Sequence, residues 1–356
     1  IMAGIYIHIP FCRQICNYCD FYHSASLSNK EAMVERIMSE LTERHSEIDI
    51  PRTLYFGGGT PSVLSTTEVV NFVKLVRYLW GVVDFEEVTL EANPDDLTPE
   101  YIWGLKEAGV NRLSIGIQSF NDDHLALMNR RHSAEQASKA VSNAQKIGFK
   151  NITIDLIYGL PFMTVNQWQQ NLDKAIGLGV QHISAYHLTI EEKTIFGKRA
   201  LKPVAEEVSE LHFNMLRKSL CSHGFDHYEI SNFALPGHRS CHNSAYWDGT
   251  SYLGVGPSAH SYDGKKRQWN VASNRLYLAG APRDSEILSP RDKYNERIMT
   301  SLRTTKGLDI NGDADIMSRA QLFLSSGDLF LEQGFLKIPP ERFLISDYII
   351  SELFEQ

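Results

Sequence analysis

Six short runs rich in branched and aromatic residues occur within the first 190 residues, with longer segments of helical period between them. That rhythm constrains the fold more than any other feature. Runs at 5–10, 53–57, 87–93, 112–118, 151–159 and 182–189 read as strands, and the stretches near 29–46, 64–79, 98–108, 133–147 and 164–178 as helices. Thr98-Pro99-Glu100 carries a helix-start signal, and Gly109 and Gly148 close two helices. Consecutive βα units make an α/β protein with a parallel sheet, wound either as an open doubly wound sheet or as an incomplete barrel. Glu91, Gln118 and Asp155 sit in or at the ends of strand runs among Leu, Ile and Val. Inward polar groups gathered at one end favour the barrel, whose active face lies at the C-terminal ends of its strands. Beyond about residue 190 the rhythm fails. A helix near 204–223 leads into a Gly-, Asn- and His-rich stretch over 224–275 and a mostly helical end over 290–355. The expected division is a barrel domain over 1–230 and a smaller, mostly helical C-terminal domain over 231–356, with Leu322, Phe323, Leu329 and Phe330 in the latter's core.

With 356 residues, 43% of them apolar, there is ample material for a large core. The formal net charge of -8 argues against a nucleic-acid binder working through a cationic face. No window of about 18 apolar residues and no charged-then-apolar leader is found, so the expectation is a cytoplasmic protein without a membrane anchor.

Three of the five cysteines crowd one loop after the first strand, Cys12-Arg-Gln-Ile-Cys16-Asn-Tyr-Cys19. Such clustering does not make a disulfide framework. Soft thiolates select zinc or iron-sulfur clusters. Three of them can hold three irons of a 4Fe-4S cubane and leave the fourth iron open. A zinc site completed by His23 and a set of inert buried thiols are the alternatives.

The C-x3-C-x2-C loop, with Tyr18 ahead of its last cysteine, resembles that of the radical S-adenosylmethionine superfamily. The resemblance implies a partial (β/α)6 TIM-like barrel and a 4Fe-4S cluster on Cys12, Cys16 and Cys19. It further implies that S-adenosylmethionine binds the open iron and is cleaved reductively to a 5'-deoxyadenosyl radical. The run Phe56-Gly57-Gly58-Gly59-Thr60-Pro61 ends the second strand, where glycines let backbone N–H groups approach a ligand; a plain tight turn would look the same. In the superfamily this stretch touches the methionyl amino group, which assigns Gly58, Gly59 and Thr60 to the nucleotide. Tyr6, Glu91, Gln118, Arg130 and Asp155 match S-adenosylmethionine contacts in the coproporphyrinogen dehydrogenase group, and Phe21 is counted with them. A carboxylate inside a barrel needs a partner. Ribose hydroxyls, an amino group or Arg130 would serve, and a purely structural Arg–carboxylate pair is the bland alternative.

A third motif, Cys241-His242-Asn243-Ser244-Ala245-Tyr246-Trp247, offers an imidazole for haem iron and aromatic planes for a porphyrin, although one loop histidine is more often simply satisfied where it stands. His-Asn-x-x-Tyr-Trp resembles the signature of the HemW branch, haem chaperones that bind haem and pass it to acceptor proteins. On that resemblance His242 is the expected haem ligand and Cys241 a second candidate. Asn17 stands where proline is common in the branch and reads as a surface position. Coproporphyrinogen dehydrogenases carry a fourth cysteine where this chain has Phe21, and a segment of some length ahead of the loop, whereas Cys12 here stands almost at the start of the sequence, and the expectation is a site without that segment. Radical decarboxylation of coproporphyrinogen is thus the second functional expectation. The first is a haem chaperone using a 4Fe-4S cluster, S-adenosylmethionine and haem, with respiratory haem proteins at the cytoplasmic membrane as acceptors.

Overall fold

The computed structural model describes residues 3–355. Six strands, β1 (Ala3–Ile9), β2 (Pro51–Gly58), β3 (Glu87–Ala92), β4 (Arg112–Gln118), β5 (Ile152–Tyr158) and β6 (His182–His187), lie side by side in chain order and pair parallel throughout. A doubly wound sheet would reverse its order at a switch point. None occurs here, and the sheet is the incomplete barrel.

Helices α1 (Lys30–Arg44), α2 (Thr66–Trp80), α3 (Pro99–Glu107), α4 (Asp122–Leu127), α5 (Ala134–Ile147) and α6 (Val165–Gly177) form the connections. Reciprocal capping boxes fix the starts of three of them: Ser65 with Glu68, Ser133 with Gln136, and Thr164 with Gln167. Their apolar faces meet Ile5, Ile7, Leu54, Phe56, Leu90, Ile115 and Ile154 of the strands in one continuous core.

A one-turn helix α7 (Ile195–Lys198) and the long helix α8 (Glu206–Ser222) carry the chain to the antiparallel pair β7 (Asp226–Glu229) and β8 (Asn232–Ala234), of which β8 joins β6. The expected boundary near 230 therefore falls inside a β-hairpin. Helix α9 (Cys241–Trp247) follows, and then β9 (Tyr252–Val255), which pairs parallel with β1 on the barrel's other edge. Strands β10 (His260–Tyr262), β11 (Lys266–Trp269) and β12 (Asp284–Ile287) extend that edge, with α10 (Asn274–Leu278) between the last two. The Gly-, Asn- and His-rich stretch thus stays with the barrel sheet.

A separate helical part begins with α11 (Pro290–Ser301) and continues through α12 (Ala314–Ser326) and α13 (Ser346–Glu352), together with a small sheet of β13 (Leu308–Asp309), β14 (Phe330–Glu332) and β15 (Phe335–Lys337). Of its four expected core residues Phe323 and Leu329 are buried, whereas Leu322 is 72% and Phe330 38% exposed. Consecutive residues on a helix or strand point to different faces, so each pair sends only one member inward.

A buried carboxylate fastens the C-terminal half to the barrel. Glu40 of α1 accepts from Arg44, from Asn270 Nδ2, from the Tyr277 hydroxyl at 2.6 Å and from the Gly256 N–H. Among the described residues no helix is long and apolar enough to cross a membrane.

Candidate functional site

The cysteine loop springs from the C-terminal end of β1 and is tied down by backbone-directed bonds. Asn17 donates from its backbone to Met128 O and from its side chain to Leu127 O at 2.7 Å, and accepts from the Phe196 N–H. At 6% exposure it is no surface residue, which corrects the expectation for that position. Asn129 donates to Ile15 O and accepts from Gln14. Thus the α4–α5 turn acts as a template for the loop's shape.

Cys12, Cys16 and Cys19 are free thiols lining one cavity of about 540 Å³ at the barrel mouth. Its other walls are Gly58, Gly59 and Thr60 after β2, Glu91 on β3, Gln118 on β4, Asp155 on β5, Tyr186 on β6, and Arg130. Phe21 stands at the rim, 74% exposed. Eleven of the twelve expected site residues other than His242 therefore share one space. The exception is Tyr6, which lies deeper, stacked on Tyr55 and bonded through its hydroxyl to His8 Nδ1.

Local backbone geometry sharpens the site. Gly58 has φ +113°, and a Cβ there would come within 2.7 Å of the His8 ring. Gln118 follows a bulge in the β4–β5 pairing and holds φ +71°, a left-handed conformation that a glutamine adopts at a cost. The bulge turns its amide toward the cavity, a device invisible in the residue pattern.

Burial dominates the electrostatics. It pushes the Glu91 carboxyl up to about 7, opposed by a 2.7 Å hydrogen bond from the Tyr55 hydroxyl, and Asp155 up to about 6, opposed by the Ser184 and Ser114 hydroxyls. Among the described residues no ion pair joins Arg130 to either carboxylate, so the structural-pair alternative does not hold. Instead Arg130 donates to Cys16 Sγ at 3.2 Å, to Asn93 Oδ1 and to Gly116 O, and its Nε is buried without a partner. The Thr60 hydroxyl donates to Cys12 Sγ at 3.3 Å. Burial raises the Cys12 thiol above its ordinary range and Cys19 to about 11.

Those donors suit a thiolate-bound cation. Among the described residues no three His, Cys, Asp or Glu side chains surround a point that could take a single metal ion. A lone tetrahedral ion needs that convergence, whereas a cubane offers each thiolate its own iron. With a buried partnerless Nε and two lightly held carboxylates beside the thiols, the residues fit a cluster and a polar, cationic ligand together.

Ser114, Asn93 and Tyr186 belong to these walls and escaped the sequence reading. The signal was present: Ser114, Gly116 and Gln118 alternate along β4, and Ser184 and Tyr186 along β6, marking the inward face.

His242 is elsewhere. It lies beneath the other end of the barrel, 2% exposed, its Nδ1 bonded to Thr53 Oγ1 at 2.8 Å and its Nε2 to the Tyr246 hydroxyl at 2.9 Å. The ring stacks on Tyr55 at 4.9 Å, and the Cys241 and His242 N–H groups donate to the buried Glu87 carboxylate. Gly4 leaves the room: a Cβ there would stand 3.1 Å from the imidazole. Both ring nitrogens of His242 are thus engaged by hydroxyls within the fold.

Residues 6–175 match the family model of the radical SAM superfamily. The heme chaperone HemW of Bacillus subtilis is 37% identical over 323 residues, spanning 86% of this chain and 85% of that one. The chain belongs to the HemW family. Its similarity to HemW of Mycobacterium tuberculosis, at 33% identity, covers 98% of this chain and 94% of the relative. HemW of Lactococcus lactis is 36% identical over 85% of this chain and 82% of its own. Among solved structures, coproporphyrinogen III oxidase of Escherichia coli superposes with a TM-score of 0.85 over 99% of this chain and 90% of that one, at 21% identity. That likeness extends the shared fold to the barrel and the helical end of this HemW family member.

Proposed function

We propose that the protein is a cytoplasmic haem chaperone of the HemW type, loaded with a 4Fe-4S cluster and S-adenosylmethionine. The observation that carries this reading is the extent of similarity to proteins named heme chaperone, which runs from the cysteine loop into the helical end. The mouth cavity supports the cofactor assignment. Cys12, Cys16 and Cys19 would hold the cluster, Thr60 and Arg130 would donate to its thiolates, and Glu91, Gln118, Asp155 and the Gly58–Gly59 backbone would receive the nucleotide. When bound, the pair supplies an open iron and a reducible sulfonium. The chain's own part is to seat the nucleotide, orient it and shield it from water. Haem is the cargo, and acceptor haem proteins, among them respiratory enzymes, are its destination.

The test is transfer. Anaerobically reconstituted protein is charged with haem and mixed with an apo-cytochrome, while 5'-deoxyadenosine and carbon dioxide are followed with and without coproporphyrinogen III. Haem appearing in the acceptor without coupled decarboxylation is the expected result. Carbon dioxide released in step with 5'-deoxyadenosine would replace this reading with the decarboxylase.

A further inference from the structure

The inward face of β2 runs between the two ends of the barrel. Side chains alternate along a strand, so Leu54 and Phe56 enter the core beneath the helices while Thr53, Tyr55 and Gly57 turn to the barrel's interior. Thr53 holds His242 Nδ1. The Tyr55 ring lies stacked on both sides, with the Tyr6 ring 6.0 Å away at 25° and the His242 ring 4.9 Å away at 24°. Gly57 leaves room for this packing, since a Cβ there would come within 2.8 Å of Tyr6 Cε2 and 2.9 Å of Tyr55 Cε1.

A ring fixed on both faces holds its hydroxyl in one place. There it donates to Glu91 Oε1 at 2.7 Å. Among the described residues no other side chain donates to this carboxylate and no ion pair reaches it, which leaves Oε2 free of side-chain partners. The titratable groups that face Glu91 are Asp155 of β5, Tyr6 of β1, Tyr186 of β6, the Cys12 thiol and Tyr246 of α9. Asp155 is the like charge among them, and Arg130 is the cation that shares the cavity. A carboxylate with a single fixed donor takes its direction from that donor.

We propose that Tyr55 is a positioning residue of the mouth cavity: its hydroxyl anchors one oxygen of Glu91 so that the other is presented to S-adenosylmethionine, and Tyr6 and His242 brace the ring that carries it. The proposal rests on the reading of the mouth as the nucleotide site. It adds a residue that touches no ligand, for Tyr55 does not line the mouth cavity. The same bond favours the ionised carboxylate, against the burial and the neighbouring Asp155 that oppose it. The packed base of the barrel thereby acts as the rear support of the open mouth.

The experiment titrates anaerobically reconstituted full-length protein with S-adenosylmethionine by equilibrium dialysis over pH 6 to 9. Wild type, Tyr55→Phe, Glu91→Ala and the double variant are compared, because phenylalanine keeps the stacked ring and deletes only the donor. Tyr55→Phe is expected to bind about fivefold more weakly at pH 7, with the midpoint of the affinity rise about one pH unit higher. A loss of about twofold should remain at pH 9, where Glu91 is ionised in both proteins and only its aim differs. In the Glu91→Ala background the same change should cost less than about twofold, since the group it acts on is gone. The apo-protein supplies a readout without ligand: the protonated-carboxyl infrared band that Glu91→Ala removes should persist to higher pH in Tyr55→Phe. Circular dichroism and an unchanged cluster spectrum establish that each variant is folded.

A wild-type affinity profile in folded Tyr55→Phe overturns the proposal. So does an equal loss at every pH in both backgrounds, which would make the ring a packing residue alone. Wild-type protein with an intact cluster that takes up no S-adenosylmethionine at any pH would instead overturn the nucleotide reading of the mouth. An infrared midpoint that Tyr55→Phe leaves unmoved breaks the Tyr55–Glu91 link itself, so the two failures are told apart.

Discussion

At the mouth of the barrel Glu91, Asp155 and Arg130 face open space, whereas at the base His242 has a partner for each ring nitrogen and Glu87 caps the helix that carries it. Between them lies an enclosed gap of only about 40 Å³, lined by Tyr55, Arg112, Asp155 and Asn243. Both ends are polar and both are buried, but the pair of nitrogens on His242 is fully engaged whereas Arg130 at the mouth keeps a partnerless Nε. Buried polar groups that satisfy one another make a seal, and those left short of partners make a receptor. The difference lies in accounting for each donor and acceptor, not in residue type.

The two ends also respond to pH in opposite senses. At the base, burial depresses His242 to about 3, so the unfolded chain binds its proton first and stability is lost as pH falls from about 6.5 toward 3. At the mouth, burial raises Glu91 to about 7, so stability is lost as pH rises from the ordinary carboxylate range through 7.

Breaking the receptor should have the largest effect. Cys16→Ala removes a cluster ligand and is expected to abolish nearly all iron-sulfur absorbance after anaerobic reconstitution, with the melting curve of the apo-protein little changed. A normal cluster in that variant would remove the loop from the site. Breaking the seal comes next. His242→Leu strands the Thr53 and Tyr246 hydroxyls and should destabilise the fold by about 2–4 kcal/mol in denaturant titration, while the reconstituted cluster keeps its spectrum. Loss of the cluster without loss of stability would reverse the roles given to the two ends.

Titration sharpens the contrast. Glu91→Gln should flatten the decline in melting temperature between pH 5 and 8, and wild-type affinity for S-adenosylmethionine should rise through about pH 7 as Glu91 ionises to meet a cation. A pH-independent affinity would take Glu91 out of the binding site. The smallest effect concerns the thiolates: Thr60→Val deletes the donor to Cys12 Sγ and should make the cluster's midpoint potential more negative, since hydrogen bonds to sulfur favour the reduced, more negative state. An unchanged potential would mean that this bond does not persist beside the metal.

The barrel was legible because its evidence is local. Each strand run and helix is written in a period of two or 3.6 residues, and Gly58, Glu91, Gln118 and Asp155 fall at the ends of those runs, where a parallel barrel gathers them. What escaped depends on distant partners. Nothing near His242 in the chain announces Thr53, 189 residues earlier, and nothing near Asn17 announces Leu127. Tyr6, expected from the resemblance to touch the nucleotide, stacks on Tyr55 further down its strand and does not line the mouth cavity. The sheet extension was hidden for a further reason: β9 to β12 are only three or four residues each, below the length at which alternation can be read.

The pairing of β9 with β1 has one more consequence. Strand β1 keeps one edge bare until residues about 250 positions later have been made, and it is this strand that presents the cysteine loop. Until β9 has been made, a nascent chain exposes an unprotected ladder of amides and carbonyls beside the thiols. The strand that presents the cysteine loop is therefore among the last to have both its edges paired.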